Sequence, residues 1–279
     1  MKKKKKDLTT ILLVVVLIAG LSLLLYPPVS NYWNSLRQTT AITHYDESIS
    51  KLDTEQYETL WNAAQAYNQA LLERDNPYML TETLKAEYEQ VLDLSGIGVM
   101  GYIEIPEIDV SLPIYHGTEE SVLQVAVGHI EWSSLPVGGA GSHCVLSGHR
   151  GLPSAKLFTN LDKLQVGDMF MLRVLNEVLT YEVDQILIVE PHESGDLQMI
   201  DGEDFCTLVT CTPYGINTHR LLVRGHRVEN KEEAKLVRVT ADALQIEPLL
   251  VAPFVAIPFL LVLLIILMIP QKKRKGDKL

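Results

Sequence analysis

The chain has 279 residues, 47% of them hydrophobic, with 24 Lys and Arg against 35 Asp and Glu, a formal charge of −11. That length allows one or two domains with an ample core, and the acidic balance argues against a nucleic-acid partner. A basic or lysine-bearing protein partner is compatible with such a surface, although solubility alone accounts for it.

At the N-terminus, Met1 to Asp7 carries five lysines, and Leu8 to Leu25 then runs for 18 residues without a charge. A helix needs about 20 apolar residues to cross the hydrocarbon core, so this stretch reads as a membrane span. A cleavable signal peptide is the competing reading. The length of the run, and the lack of an Ala-x-Ala-like site before Tyr26-Pro27-Pro28, favour a retained span.

From Val29 to about Leu94 glycine is scarce, and Glu, Gln and Ala are frequent. Leu60, Ala64, Tyr67 and Leu71 recur at helical spacing, with Tyr57 and Trp61 beside them. Asp53-Thr54-Glu55-Gln56 offers a capping box to start this helix, and Asp75-Asn76-Pro77 offers its end. A second, shorter helix is expected from Thr83 to Leu92. On residue types alone the intervening Arg74 to Met79 is a polar turn containing a proline.

From Gly96 onward short β runs alternate with turn residues, as in a barrel or sandwich. Seven strands are expected: Val99 to Pro106, Val110 to Tyr115, Cys144 to Gly148, Asp168 to Leu175, Val178 to Glu190, Thr207 to Cys211 and Leu221 to Val228. Asn176-Glu177 is the expected hairpin turn between two of them. Gly138-Gly139-Ala140-Gly141 is followed by no helix or lysine at phosphate-loop distance and reads as a plain turn.

The chemistry concentrates in Phe205 to Gly215. Thr207 to Thr210 is β-branched and aliphatic, and Pro213 with Gly215 breaks the strand, which leaves Cys211 at its end. Leu221-Leu222-Val223 resumes an apolar run, so Arg220 opens the returning strand and can lie beside Cys211. A fixed cation beside a thiol favours the thiolate. The missing proton donor and acceptor has its best candidate in His149, flanked by glycines in Ser147-Gly148-His149-Arg150-Gly151 at the end of another apolar run. His219 is the rival on spacing alone, since it adjoins Arg220. The other histidines, at 44, 116, 129, 143, 192 and 226, suit surface or core packing. Three cysteines cannot all pair; Cys144 and Cys206 are read as small buried hydrophobes, with a disulfide between them as the alternative, and no metal-ligand spacing is present.

Lys231 to Glu247 reads as an amphipathic helix or linker, and Leu249 to Pro270 is a second uncharged run of 22 residues, followed by Lys272-Lys273-Arg274-Lys275. Basic flanks at both ends place both tails in the cytoplasm and the intervening chain outside. Setting aside five basic residues and one aspartate at each end leaves 14 basic against 33 acidic residues, a net of −19 on the outer part.

Thr207-Leu208-Val209-Thr210-Cys211, the downstream Arg220 and Ser147 to Pro153 around His149 together resemble a sortase, the cysteine transpeptidase of Gram-positive cell surfaces. Gly101 to Pro106, Leu112 to Thr118, Ala155 to Thr159 and Thr212 to Arg220 are similar to the class C, pilus-building branch, over roughly residues 96 to 228. The resemblance implies a mainly β fold: a closed barrel of about eight strands with an N-terminal helical lid region and two flanking transmembrane helices. The parts would be 1–26, basic tail and span; 27–95, extracellular helices with a lid loop at about 74–79; 96–230, the catalytic barrel; 231–248, juxtamembrane helix or linker; and 249–279, second span and basic tail. It assigns catalysis to Cys211, His149 and Arg220 without a cofactor or metal. The substrate would be an LPxTG-like sorting signal of a pilin precursor, cut between Thr and Gly, with the acyl group passed to a pilin lysine. The location would be the cell membrane, crossed twice, with the catalytic part outside.

In the class C lid an Asp-Pro-aromatic tripeptide lies over the catalytic groove, which points to Asp75, Pro77 and Tyr78. This chain departs from that pattern, because Asn76 separates Asp75 from Pro77, so that either the anchoring aspartate is shifted by one or Asn76 takes its place. Two other classes stay open at this point. A thiol hydrolase would use the same dyad with water as acceptor, and a non-catalytic membrane receptor would keep the barrel without needing Cys211, His149 and Arg220 together.

Overall fold

Three helices precede every strand: α1 (Leu8–Ile49), α2 (Thr54–Leu72) and α3 (Glu82–Gln90). The structure, a computed structural model, describes residues 8–74, 76, 78–94 and 96–230. The expected linker at 231–248, the second span and basic tail at 249–279, the basic segment at 1–7, and the lid positions Asp75 and Pro77 lie outside the described residues. The chain divides into two compact units whose described parts are 8–32 and 33–230, with the boundary inside α1.

In the first unit, α1 presents an apolar surface to its surroundings, with Leu12, Val16 and Leu23 all exposed. Among the described residues it is the one helix long and apolar enough to cross a membrane. The helix also runs through Pro27 and Pro28, beyond the expected end of the span at about residue 26. Proline removes one intrahelical hydrogen bond, but its fixed φ is already helical, so the path continues.

In the second unit the last turns of α1 bury Ala41, Tyr45 and Ile49, spaced at i, i+4 and i+8. The Tyr45 hydroxyl donates to Met100 O at 2.7 Å and accepts from Leu175 N at 2.8 Å, fastening the helix to the barrel at two points. The capping box forms as expected: Asp53 Oδ1 accepts from Gln56 N, and Gln56 Oε1 accepts from Asp53 N. Ala64, Tyr67 and Leu71 are buried, and Asn68 exchanges two hydrogen bonds with the Leu135 backbone. α2 stops at Leu72, before the Asp75-Asn76-Pro77 stop signal is reached. Thr81 caps α3 by accepting from Leu84 N.

Eight strands follow: β1 (Val99–Ile105), β2 (Val110–His116), β3 (Val127–His129), β4 (Ser142–Ser147), β5 (Met169–Val174), β6 (Glu177–Val189), β7 (Asp204–Thr212) and β8 (His219–Val228). They close into a barrel in the order β1-β2-β3-β4-β7-β8-β6-β5. β3 is the strand absent from the sequence reading: three residues are too few to display alternation, and tertiary pairing with β2 and β4 defines it. The β5–β6 hairpin turns at Leu175-Asn176, one residue earlier than expected, since Val174 pairs with Glu177. Leu175 takes a left-handed φ of 52° there.

Alternation then sorts the side chains. Ile103, Leu146, Phe170, Tyr181, Cys206, Leu208 and Val223 fill the interior together with Tyr67 and Tyr88 from the helices. Burial of one Leu or Phe side chain contributes about 1.5–3 kcal/mol, so this cluster dominates the stability of the unit. On the outside, Val145, Leu197, Val209 and Leu222 form a second buried cluster against Ile130, Trp132, Leu187 and Val189. β1 and β5 complete the closure, where the buried pair Arg173 Nε–Glu104 Oε2 meets at 2.5 Å.

Two strand pairs are parallel, β2 with β3 and β4 with β7. The second of these brings the C-terminal ends of β4 and β7 to the same rim of the barrel.

Candidate active site

Three of the residues singled out in the sequence meet at that rim. β7 and β8 are antiparallel with Cys211 opposite Arg220, so thiol and guanidinium share one face of the hairpin. On the same face of β7 lies Val209 of the outer cluster, while Cys206 and Leu208 belong to the interior. Cys211 is half-buried at the strand end, just before the cis Thr212–Pro213 peptide.

His149 arrives through the parallel pair. Ser147 is level with Val209 at the end of the ladder, and His149 follows Ser147 by two residues just as Cys211 follows Val209. The approach is fixed by two bonds to Gly148: its N donates to Val209 O at 3.0 Å, and its O accepts from the Thr210 side chain, through Oγ1, at 2.7 Å. Phe158 N donates to His149 O at 3.1 Å from the far side. A Cβ at position 148 would come within 2.6 Å of Phe158 Cδ2, so glycine is required for this crossing. The imidazole itself faces Glu120 of the short helix α4 (Glu120–Leu123), with His149 Nε2 3.7 Å from Glu120 Oε2.

His219 is placed differently. It pairs with Thr212, one step beyond Cys211 and therefore on the other face of the hairpin. Its Nε2 lies 3.3 Å from Glu190 Oε1 and its Nδ1 2.9 Å from Thr218 Oγ1. Arg220 donates through Nη1 to the carbonyls of His219 and Asn217, at 3.2 and 3.5 Å.

Cys144 and Cys206 are direct neighbours across β4 and β7, both buried and both free thiols. Burial, reinforced by the adjoining Cys144, pushes the Cys206 thiol well above the ordinary cysteine range.

The loop between α2 and α3 reaches the outer cluster. Tyr78 packs edge-on against Trp132, ring centroids 5.0 Å apart, and both line a cavity of about 250 Å³ with Leu72, Ser133, His143, Leu197, Gln198 and Met199. The aromatic partner of Tyr78 is thus Trp132, on the outer surface that continues through Val209 toward Cys211. Asn76 Oδ1 accepts from Tyr78 N at 3.1 Å, so its side chain closes the loop's own turn.

Glu120, Arg150 and Trp132 each contact this region, and the sequence reading gave none of them a role in it, naming Arg150 only as part of the run around His149. Their contacts cross between segments that only the closed barrel brings together, so no local pattern marks those contacts. Among the described residues no cluster of His, Cys, Asp and Glu is arranged to hold a metal ion.

Residues 103–228 match the Sortase domain family. The structure is similar to that of sortase C1 from Streptococcus agalactiae, with 50% identity and a TM-score of 0.68, covering 69% of this chain and 100% of that one. It is also similar to sortase C of Streptococcus pneumoniae, a structure described in terms of pilin substrate specificity. There the identity is 46% and the TM-score 0.62, over 68% of this chain and 97% of that one. Among curated proteins, Sortase D of Bacillus subtilis (strain 168) is 31% identical over 131 residues, which are 46% of this chain and 63% of that protein's length.

Proposed function

This chain belongs to the sortase family of cysteine transpeptidases, in its class C branch, and from that membership we propose that it joins pilin subunits through a thioacyl intermediate on Cys211. The observation that carries this reading is the register: Cys211 pairs with Arg220, and the parallel β4–β7 ladder delivers His149 to the same rim.

The Cys211 thiolate attacks the threonine carbonyl of an LPxTG-like signal, forming a C–S bond and a tetrahedral oxyanion. Arg220 donates to that oxyanion or to neighbouring substrate carbonyls, its planar fork suiting two acceptors at once. As the intermediate collapses, the C–N bond to glycine breaks and the His149 imidazolium gives its proton to the departing amine. A lysine amine of the next subunit then attacks the thioester, His149 takes its proton, and the Cys211 thiolate leaves. The product is an isopeptide bond. Each step uses side chains of this protein and its two substrates, without a cofactor.

We assign the segment from Asp75 to Met79 as a gate over the groove. The packing of Tyr78 on Trp132 at the edge of the outer cluster supports it. A covered thioester is protected from water, which favours transfer over hydrolysis. The N-terminal apolar helix supplies the membrane anchor in this account, and the run from Leu249 to Pro270 a second crossing, leaving the barrel outside the cell.

The test is to incubate the full-length chain, in detergent, with an LPxTG-like peptide and a lysine-bearing peptide. Mass spectrometry should find the two joined through the lysine. Release of the cleaved peptide alone would assign a thiol hydrolase instead, and an untouched peptide would overturn the enzymatic reading.

A further inference from the structure

We propose that Arg150 is the positioning residue that holds His149 in register with Cys211, an inference that rests on the assignment of those two residues as acid/base and nucleophile. The side chain of Arg150 is 9% exposed and spans three separate segments. Its Nη1 donates to Thr212 Oγ1 at 3.3 Å, and its Nη2 to Asp162 Oδ2 at 2.5 Å. Its guanidinium carbon lies 5.9 Å from the centroid of the Tyr214 ring.

The placement matters more than the number of contacts. Arg150 directly follows His149, and Thr212 directly follows Cys211, so this one side chain links the residue after the acid/base to the residue after the nucleophile. Thr212 and Cys211 point to opposite faces of β7. Arg150 therefore ties down the loop from the Thr212 face. Gly148 is already fastened to β7 on the other side of His149, and the histidine is bracketed between two anchors.

The neighbouring loop reinforces the clamp. Gly151 has a φ of +78°, donates to Thr159 Oγ1 at 3.2 Å, and lies so close to Tyr214 that a Cβ there would come within 2.9 Å of Cε2. The loop after β7 is thus packed directly on the segment that carries His149.

Stability alone explains Arg150 poorly. Asp162 is 45% exposed, and ion pairs with so exposed a partner contribute little. Meanwhile Arg150 Nε is buried with no hydrogen-bond partner among the described residues, a cost that a purely structural contact would be expected to avoid. A clamp that sets the distance between two reacting groups gives a reason to keep it, because a displacement of about 1 Å can reduce a rate about a hundredfold.

The experiment uses the full-length chain in detergent with Arg150→Ala, Arg150→Lys and Asp162→Asn. Two quantities are read: kcat and KM for peptide-to-amine transfer, and the pH profile of Cys211 alkylation by iodoacetamide. Arg150→Ala should lower kcat on the order of a hundredfold with KM little changed, and should shift the alkylation profile. Arg150→Lys should recover part of the loss, since one ammonium reaches Thr212 or Asp162 but does not fork between them. Asp162→Asn should move both readouts in the same direction by less. A kcat and an alkylation profile for Arg150→Ala that match the parent's would overturn the proposal. So would a fall in kcat with an unmoved profile, which marks a packing role. If Arg150→Ala does not fold, parent-like profiles in both Arg150→Lys and Asp162→Asn overturn it equally. The alkylation arm needs no peptide. A parent chain that transfers no acyl group would therefore sink the proposed function while the profiles still decide on Arg150.

Discussion

Cys206 and Cys211 lie on one strand and face opposite ways, and that single alternation separates a core thiol from a presented one. The interior holds Cys206 against Cys144, both of them shut off from solvent, and burial strongly disfavours ionisation of Cys206. Iodoacetamide should accordingly label Cys211 alone in the native chain and all three cysteines after denaturation, with peptide mapping as the readout. Native labelling at Cys144 or Cys206 would contradict the placement. Arg220→Lys replaces a planar fork by a point charge, and loss of an oxyanion donor costs on the order of a hundredfold in kcat. Near-normal turnover in that variant would move Arg220 to a structural role. The pairing of Cys211 with Arg220 was legible in the sequence because a hairpin's register follows from its two apolar runs. The contact between His149 and Glu120 was not, because it depends on how the barrel closes.

Elements tell the same story at longer range. The capping box of α2 and the buried stripe Ala64, Tyr67 and Leu71 could be read directly, since both are local patterns. β3 and the passage of α1 through two prolines could not, because tertiary pairing and a tolerated loss of hydrogen bonds decided them. The loop carrying Tyr78 was legible as a turn, and its docking on Trp132 emerged only in the fold. If that docking closes a gate, Trp132→Ala or Tyr78→Ala should speed Cys211 alkylation and cleavage of short sorting peptides. Unchanged rates in both would reduce the loop to a helix connector. At the β1–β5 seam, Glu104 and Arg173 are both buried and paired. Removing one partner of a buried pair strands the other charge, so Arg173→Met should cost about 3–5 kcal/mol in denaturant unfolding. The double variant with Glu104→Met should recover much of that loss.

For the whole molecule, the decisive feature is topological: a parallel β4–β7 pair inside an otherwise largely antiparallel barrel gathers three strand ends at one rim. Strand spacing pointed to a barrel or sandwich, the resemblance to a sortase to a closed barrel, and the Thr207 to Cys211 run to its chemistry, but strand order is set by long-range closure that no local pattern encodes. Burial also shapes the response of the barrel to pH. His143 sits between Gln198 O and Thr207 Oγ1, and burial lowers its pKa from the ordinary 6.5, with Arg224 adding to the shift. The unfolded chain takes up a proton there as pH falls through about 6.5, while the folded one resists, so stability present above that value is lost on acidification. Between about pH 7.5 and about pH 5.5 the parent should lose more unfolding free energy than His143→Gln. Equal losses would contradict this. One intact-mass measurement of the full-length chain, mixed with an LPxTG-like peptide and no amine, tests Cys211 as the acyl carrier most directly. A covalent adduct equal to the peptide acyl fragment is expected, mapped to Cys211 and absent from Cys211→Ala. An adduct on Cys144 or Cys206, or one that persists in Cys211→Ala, would contradict it.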